Sequence, residues 1–312
     1  MSRLVVFSGR SHPALARGIT ECLGIPLSPV QSSRFSNDNL YVRLCDNVRG
    51  ADVFVVQTFA PPVQENLFEL LMLMDAARSA SAERVTAVIP YYSYARSDKK
   101  DEPRISITGR LVADLLHTAG ANRVLTVNLH APQVHGFFPM PTDHLTAEVV
   151  LADALRDRNV RNAVVVTPDI GNAKRAAHLA HRLNLPVAAG NKRRVDDRQV
   201  VIDGIVGDVQ KETAIVTDDE IATGSSVVEM LNLLSDHRVR RAYVVCTHGV
   251  FTDDALARLS AHPLVDEIIA TDTVPVPAQK WNAKLTTVSL APLLAEAIRR
   301  IHHDESVSAL FS

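Results

Sequence analysis

The chain has 312 residues, 46% of them hydrophobic, and a formal net charge of −2, which is too long for one small core and fits two domains. That charge excludes a general nucleic-acid binder, which carries a strong basic excess. Its three cysteines, Cys22, Cys45 and Cys246, form no close pair and exclude both a disulfide framework and a thiolate metal site. No apolar run is long enough for a membrane span or a signal peptide, so no membrane partner and a reducing, cytoplasmic setting are expected.

Short Val- and Ile-rich runs fall at residues 4–7, 52–59, 84–90, 123–130, 163–169, 213–218, 241–248 and 267–273. They alternate with longer segments of helical period, including Leu67, Leu70, Leu71, Leu73, Met74 and Ala77, and later Val227, Val228, Met230, Leu231, Leu233 and Leu234. Such alternation predicts an α/β protein of two similar halves, each a mainly parallel sheet flanked by helices. The expected domains are 1–145 and 146–312, with the terminal helix, residues 291–301, packing on the first.

Chemistry concentrates where strands empty into polar segments. Residues 91–110 read YYSYARSDKKDEPRISITGR, a long polar stretch expected to lack structure of its own, with Arg96, Lys99, Lys100 and Arg104 in it. Cations on such a loop suit a polyphosphate, because they close over it and neutralise charge. His130 ends the run 123–130, and Asp169 precedes a glycine turn after the run 163–169. Lys192, Arg193 and Arg194 follow a short strand expected at 186–189. The richest segment is 213–227, TAIVTDDEIATGSSV, an apolar strand that leads into Asp218 and Asp219 and then a turn of Ala222, Thr223, Gly224, Ser225 and Ser226 opening a helix. Backbone N–H groups and hydroxyls at a helix start suit a phosphate. The two aspartates would repel a phosphate and instead suit ribose hydroxyls or Mg²⁺. Neither a P-loop nor a G-x-G-x-x-G fingerprint is present. On its residue type alone, Phe35 reads as core.

Taken in order, these segments resemble the ribose-phosphate pyrophosphokinases, the phosphoribosyl pyrophosphate synthetases. The resemblance runs nearly end to end through Arg34-Phe35-Ser36-Asn37, Asp46-Asn47-Val48-Arg49-Gly50, residues 85–90 leading to Tyr94-Ala95-Arg96, Asn128-Leu129-His130-Ala131, Gly136-Phe137-Phe138, Lys192-Arg193-Arg194 and the tail 294–300. It implies two phosphoribosyltransferase-type domains and transfer of the diphosphoryl group of ATP to the C1 hydroxyl of ribose 5-phosphate, with Mg²⁺ as cofactor. By the same resemblance, Asp218 and Asp219 with Ala222 to Ser226 hold ribose 5-phosphate, assisted by Arg194. His130 and Asp169 are implied metal residues, and Lys192, Arg194 and Arg96 stabilise the group in transit. Phe35, Asn37 and Asn39, with Arg96, Ser97, Lys99 and Lys100, are implied to hold ATP. Arg49, Ser81, Arg84 and Ser308 match a regulatory site for inorganic phosphate and ADP. A dimer-based homo-oligomer, commonly a hexamer, is also implied.

Four positions depart from the family pattern. Asn39 stands where Glu is usual, Ser97 where Gln is usual, and Asn128 and Ala222 where Asp is usual. They are the ground for two alternatives, a non-catalytic regulatory homologue and a phosphoribosyltransferase.

Overall fold

The computed structural model describes residues 2–158, 160–194 and 200–310, and the side chains of residues 193, 194 and 200 lie outside that description. The chain divides into two compact units. Unit 1 comprises Met1–Thr146, Thr273–Pro275 and Ser289–Ser312, and unit 2 comprises Ala147–Asp272 and Val276–Val288.

Unit 1 begins with β1 (Leu4–Ser8), α1 (Pro13–Leu23), the hairpin β2 (Val30–Arg34) and β3 (Leu40–Leu44), β4 (Asp52–Val56) and α2 (Val63–Ser79). It continues through β5 (Arg84–Ile89), α3 (Thr108–Thr118), β6 (Arg123–Val127) and β7 (Thr142–Leu145). Strands β1, β4, β5, β6 and β7 form one parallel sheet in that order. Every residue of β4 is buried, as befits a central strand covered on both faces. The α2 face carrying Leu70, Leu73, Met74 and Ala77 packs into the same core as Val53, Val55 and Phe59, which is the face that the helical period marks.

In unit 2 the chain runs α4 (Glu148–Arg156), β8 (Ala163–Thr167), α5 (Ala173–Leu183), β9 (Val187–Arg194), β10 (Val200–Val206) and β11 (Thr213–Ile221). Then come α6 (Ser225–Ser235), β12 (Arg241–Gly249), α7 (Ala255–Ala261), β13 (Val265–Thr271) and β14 (Leu285–Val288). Its seven strands lie in the order β10-β9-β8-β11-β12-β13-β14, parallel except where β10 folds back antiparallel on β9. The last helix, α8 (Ala291–His302), belongs to unit 1 and packs on α1. A buried carboxylate anchors it: Asp52 accepts from Arg84 at 2.6 and 2.9 Å and meets His302 Nδ1 at 2.8 Å.

Several expected boundaries move, each for a local reason. Strand β6 stops at Val127 rather than at His130, because Asn128 adopts φ 40°, a left-handed conformation that asparagine tolerates. The triplet at 192–194 lies within β9, which extends past residue 189 by pairing with β10. Strand β11 runs on to Ile221 because β12 pairs with it as far as Gly249. On its other side β8 ends at Thr167, where Pro168 has no N–H to continue the ladder. The strands β2, β3, β7, β10 and β14 have no counterpart in the apolar pattern, being short or half-exposed.

Candidate active site

In unit 2 the polar groups cluster at the carboxyl ends of β8 and β11, the edge at which open α/β sheets bind ligands. Asp169 follows β8 and accepts from the Gly171 N–H through Oδ1 at 2.8 Å, which fixes the carboxylate ahead of a single 3-10 turn at Ile170–Asn172. It is a hard oxygen donor, the type that suits Mg²⁺. No group of three or more His, Cys, Asp and Glu side chains that could hold a metal ion occurs among the described residues.

Asp218 and Asp219 lie on β11 itself, in the stretch that β8 leaves unpaired. Their environments differ. Asp218 is half-buried, whereas the Asp219 side chain is fully buried and paired with Arg175 at 3.4 Å. Asn172 Nδ2 donates to Oδ1 of Asp218 at 2.8 Å and to Oδ1 of Asp219 at 2.9 Å, and the Asp219 N–H donates to Oδ1 of Asp218 at 2.9 Å. The buried thiol of Cys246, opposite Asp218 on β12, is pushed well above its ordinary pKa by burial first and then by the charges of Asp218, Asp219 and Glu220.

The turn that follows is tied down from one side. Phe251 N–H donates to Ile221 O and Thr252 N–H to Ala222 O, both at 3.0 Å, and Arg258 donates to Thr223 O. Gly224 sits at φ 74° immediately before α6; a side chain there would strain the backbone. Thr223 Oγ1 and Ser225 Oγ lie 3.2 Å apart. Hydroxyls and open N–H groups at the start of an eleven-residue helix can cradle a phosphate. Lys192 lies on β9 opposite Ile202 of β10 and is half-buried. Arg194 ends β9, and its side chain lies outside the described residues.

In unit 1 the stretch 91–110 is not featureless. Ser93–Arg96 form a 3-10 turn and α3 begins at Thr108. Ser97 closes the neck of the loop between them. Its Oγ accepts from Thr108 N–H at 3.0 Å and donates to Ser106 O at 3.1 Å, while its carbonyl accepts from Gly109 N–H at 3.0 Å. A Cβ at Gly109 would stand 3.0 Å from the carbonyl oxygens of both Ser97 and Tyr94. Tyr92 completes the neck by donating to Gly109 O at 2.9 Å, and burial raises its phenol so that it stays a donor. Arg96, Lys99, Lys100 and Arg104 are exposed, as are Asp101 and Glu102 beside them. The segment entering His130 is fixed by His144, whose Nε2 accepts from Leu129 N–H at 2.7 Å, so the proton of that ring resides on Nδ1.

Phe35, Asn37 and Asn39 form the tip of the β2–β3 hairpin. Phe35 is 56% exposed, which overturns its reading as core, and it makes an edge contact with Tyr41 at 5.7 Å. Its backbone N–H donates to Asn39 O, and Asn37 Oδ1 accepts from Asn39 N–H. The base of the hairpin is held by Ser32 Oγ donating to the buried Glu69 at 2.8 Å and by Arg34 pairing with Glu65 at 2.7 Å. Arg49, Ser81 and Ser308 are exposed in the same unit. Arg84 is already engaged by Asp52, Asp304 and Ile301 O.

The residues that sequence reasoning missed are those that hold others. Asn172 closes the glycine turn that follows Asp169, but its partners are 46 and 47 positions away. Arg175, His144 and Gly109 carry no local signal either.

The fold and the polar strand ends define a two-unit, phosphate-handling α/β enzyme class. Residues 4–120 match the N-terminal domain of ribose phosphate pyrophosphokinase, and residues 196–312 match the phosphoribosyl synthetase-associated domain. A Streptomyces coelicolor protein that carries the pyrophosphokinase name provisionally is 56% identical over 311 residues, covering 100% of this chain and 98% of its own. The ribose-phosphate pyrophosphokinase of Deinococcus radiodurans is 48% identical over 316 residues, with the same coverage of 100% and 98%. The crystal structure of phosphoribosylpyrophosphate synthetase from Mycobacterium smegmatis superposes with a TM-score of 0.90 at 38% identity, covering 97% of this chain and 100% of that one. The chain belongs to the ribose-phosphate pyrophosphokinase family.

Proposed function

We propose that this chain transfers the β,γ-diphosphoryl group of ATP to the C1 hydroxyl of ribose 5-phosphate, giving 5-phosphoribosyl 1-diphosphate and AMP. The observation that carries this reading is the full-length match to a ribose-phosphate pyrophosphokinase, 48% identical across all of the chain. Nothing in the comparisons favours a non-catalytic homologue or a phosphoribosyltransferase.

In this reading the 5-phosphate sits at the start of α6, on backbone N–H groups of the turn and the hydroxyls of Thr223, Ser225 and Ser226. Asp218 accepts from the ribose hydroxyls. Asp219, fully buried, serves to hold its neighbour rather than to touch the sugar. Lys192, Arg194 and Arg96 neutralise charge on the diphosphoryl group, since such transfers depend on positioning and electrostatics rather than covalent help. Lys99 and Lys100 add charge from the same loop, and Phe35, Asn37 and Asn39 receive the adenine. Asp169, whose carboxylate is pre-oriented, would hold Mg²⁺ in unit 2, and His130 is the proposed metal residue of unit 1. When bound there, the ion would supply charge neutralisation at phosphate oxygens. The exposed Phe35 fits a tip that works against a neighbouring subunit of a homo-oligomer. Regulation by inorganic phosphate or ADP would fall to Arg49, Ser81 and Ser308 more than to Arg84, whose N–H groups are largely committed. The cytoplasm is the proposed setting; no helix among the described residues is long and apolar enough to cross a membrane.

The test is direct. Purified protein is incubated with ATP, ribose 5-phosphate and Mg²⁺, and the nucleotides are resolved. AMP should appear in step with phosphoribosyl diphosphate. ADP, or no turnover, would count against the proposal, and consumption of phosphoribosyl diphosphate that requires a base would point to the phosphoribosyltransferase.

A further inference from the structure

Neighbouring residues on a strand direct their side chains to opposite faces, so two adjacent carboxylates do not ordinarily share a partner. Asp218 and Asp219 do share one, because the turn after β8 carries Asn172 over the part of β11 that β8 leaves unpaired. Ionised carboxylates only accept hydrogen bonds, so it is the NH₂ of Asn172, not its carbonyl, that faces them. That one nitrogen carries two hydrogens, one for each acid, at 2.8 and 2.9 Å. Two further contacts make the arrangement directional. Arg175 holds the far oxygen of Asp219 at 3.4 Å, and the Asp219 N–H meets Asp218 on the oxygen that Asn172 already holds. Asp219 is thus the fixed end and the half-buried Asp218 the presented end.

We propose that Asn172 is a positioning residue that sets the carboxylate plane of Asp218 for the ribose hydroxyls of the acceptor, with Arg175 and Asp219 as its anchor. This rests on the reaction proposed above. The chemistry required is two N–H groups on one small side chain. Serine supplies one donor, and aspartate has the same shape but, when ionised, none.

Asn172→Ser and Asn172→Asp are therefore compared with the unaltered full-length protein. Steady-state rates are measured with each substrate varied in turn, calorimetry follows ribose 5-phosphate alone, and thermal unfolding is recorded for each protein. The KM for ribose 5-phosphate should rise about threefold in Asn172→Ser and about tenfold or more in Asn172→Asp, as one and then both hydrogen bonds are lost. The KM for ATP should stay within about twofold, and Asn172→Ser should keep its unfolding midpoint. If Asn172→Asp does not fold, the serine variant alone decides. An unchanged KM for ribose 5-phosphate overturns the proposal, and so does an equal rise in both KM values together with a fallen midpoint, the pattern of a purely structural residue. If the unaltered protein makes no phosphoribosyl diphosphate, the reaction is wrong. Calorimetry then judges Asn172 separately, by whether its substitution weakens binding of ribose 5-phosphate.

Discussion

The polar ends of the two sheets are built in opposite ways. In unit 2 the acid pair is locked by half-buried partners, Asn172 on both aspartates and Arg175 on Asp219, and the hydroxyl turn is held by Phe251, Thr252 and Arg258. In unit 1 the cations of residues 96–104 are exposed, and the loop that carries them is gripped at its neck by Ser97, Gly109 and Tyr92. A ligand group of fixed shape, a sugar phosphate, suits the first kind of construction. A group whose charge is redistributed during reaction suits the second, because cations on a loop can close on it.

The largest effect expected from this contrast is on turnover. Arg96→Ala and Lys192→Ala should each lower kcat by about 10²- to 10³-fold, the scale for removing one charge-stabilising donor. AMP formation measures this, and because Arg96 is exposed its removal should leave the unfolding midpoint in place. A loss below about tenfold would remove that residue from the diphosphoryl path. Next comes Phe35→Ala, expected to raise the KM for ATP about tenfold, as loss of a stacked base does. Its stability should change by no more than about 0.5 kcal/mol, because the ring is exposed. A large destabilisation would return Phe35 to the core and remove the nucleotide reading of the hairpin.

The neck is tested by Gly109→Ala. The new methyl group would press on two backbone carbonyls that cannot swing away, a cost of about 1–3 kcal/mol. We expect the KM for ATP to rise several-fold, faster proteolysis within residues 98–107, and an unchanged KM for ribose 5-phosphate. Equal effects on both substrates would break the separation between the two kinds of site.

The smallest effect concerns unit 2 alone. Glu267 is held below its ordinary pKa of 4.5, chiefly by the hydrogen bond from Arg158. A depressed carboxyl stabilises the fold above its unfolded pKa, and that stability is lost as pH falls through the folded value. Arg158→Met should therefore cost about 1 kcal/mol at pH 7 and much less at pH 3. Chemical denaturation at the two pH values checks this, and an identical deficit at both would remove the ion pair as its cause.

What the sequence discloses follows from where its signals are strong. Buried parallel strands such as β4 and β8 are continuous apolar runs, and α2 and α6 carry helical periods, so the α/β class and the turn at 222–226 between β11 and α6 are legible. The hairpin strands β2 and β3 bury little and produce no such run. The positions at which strands stop depend on single residues, Asn128 for β6 and Pro168 for β8, whose effect is conformational rather than hydrophobic. Ser97 is visible as an unusual residue, but its part in the neck needs Thr108 and Ser106 brought within hydrogen-bond reach. The environments of Asp218 and Asp219, identical in type and adjacent in sequence, diverge because Arg175 of α5 pairs with Asp219, whereas Asn172 meets both, and neither partner is near them in sequence.

The β2–β3 hairpin forms a sheet of two strands only, too small to be stable by itself in water, and it is fastened at its base through Ser32 to Glu69 and through Arg34 to Glu65. At its tip Asp38 joins that fastening by pairing with Arg34. Asn39, exposed and outside those side-chain pairs, can therefore exchange with little penalty to folding, and asparagine in place of the usual glutamate is such an exchange. Under the proposed role of the tip in receiving adenine, donor-base preference is thus open to evolutionary drift and to engineering there, independently of the framework proposed to perform the transfer.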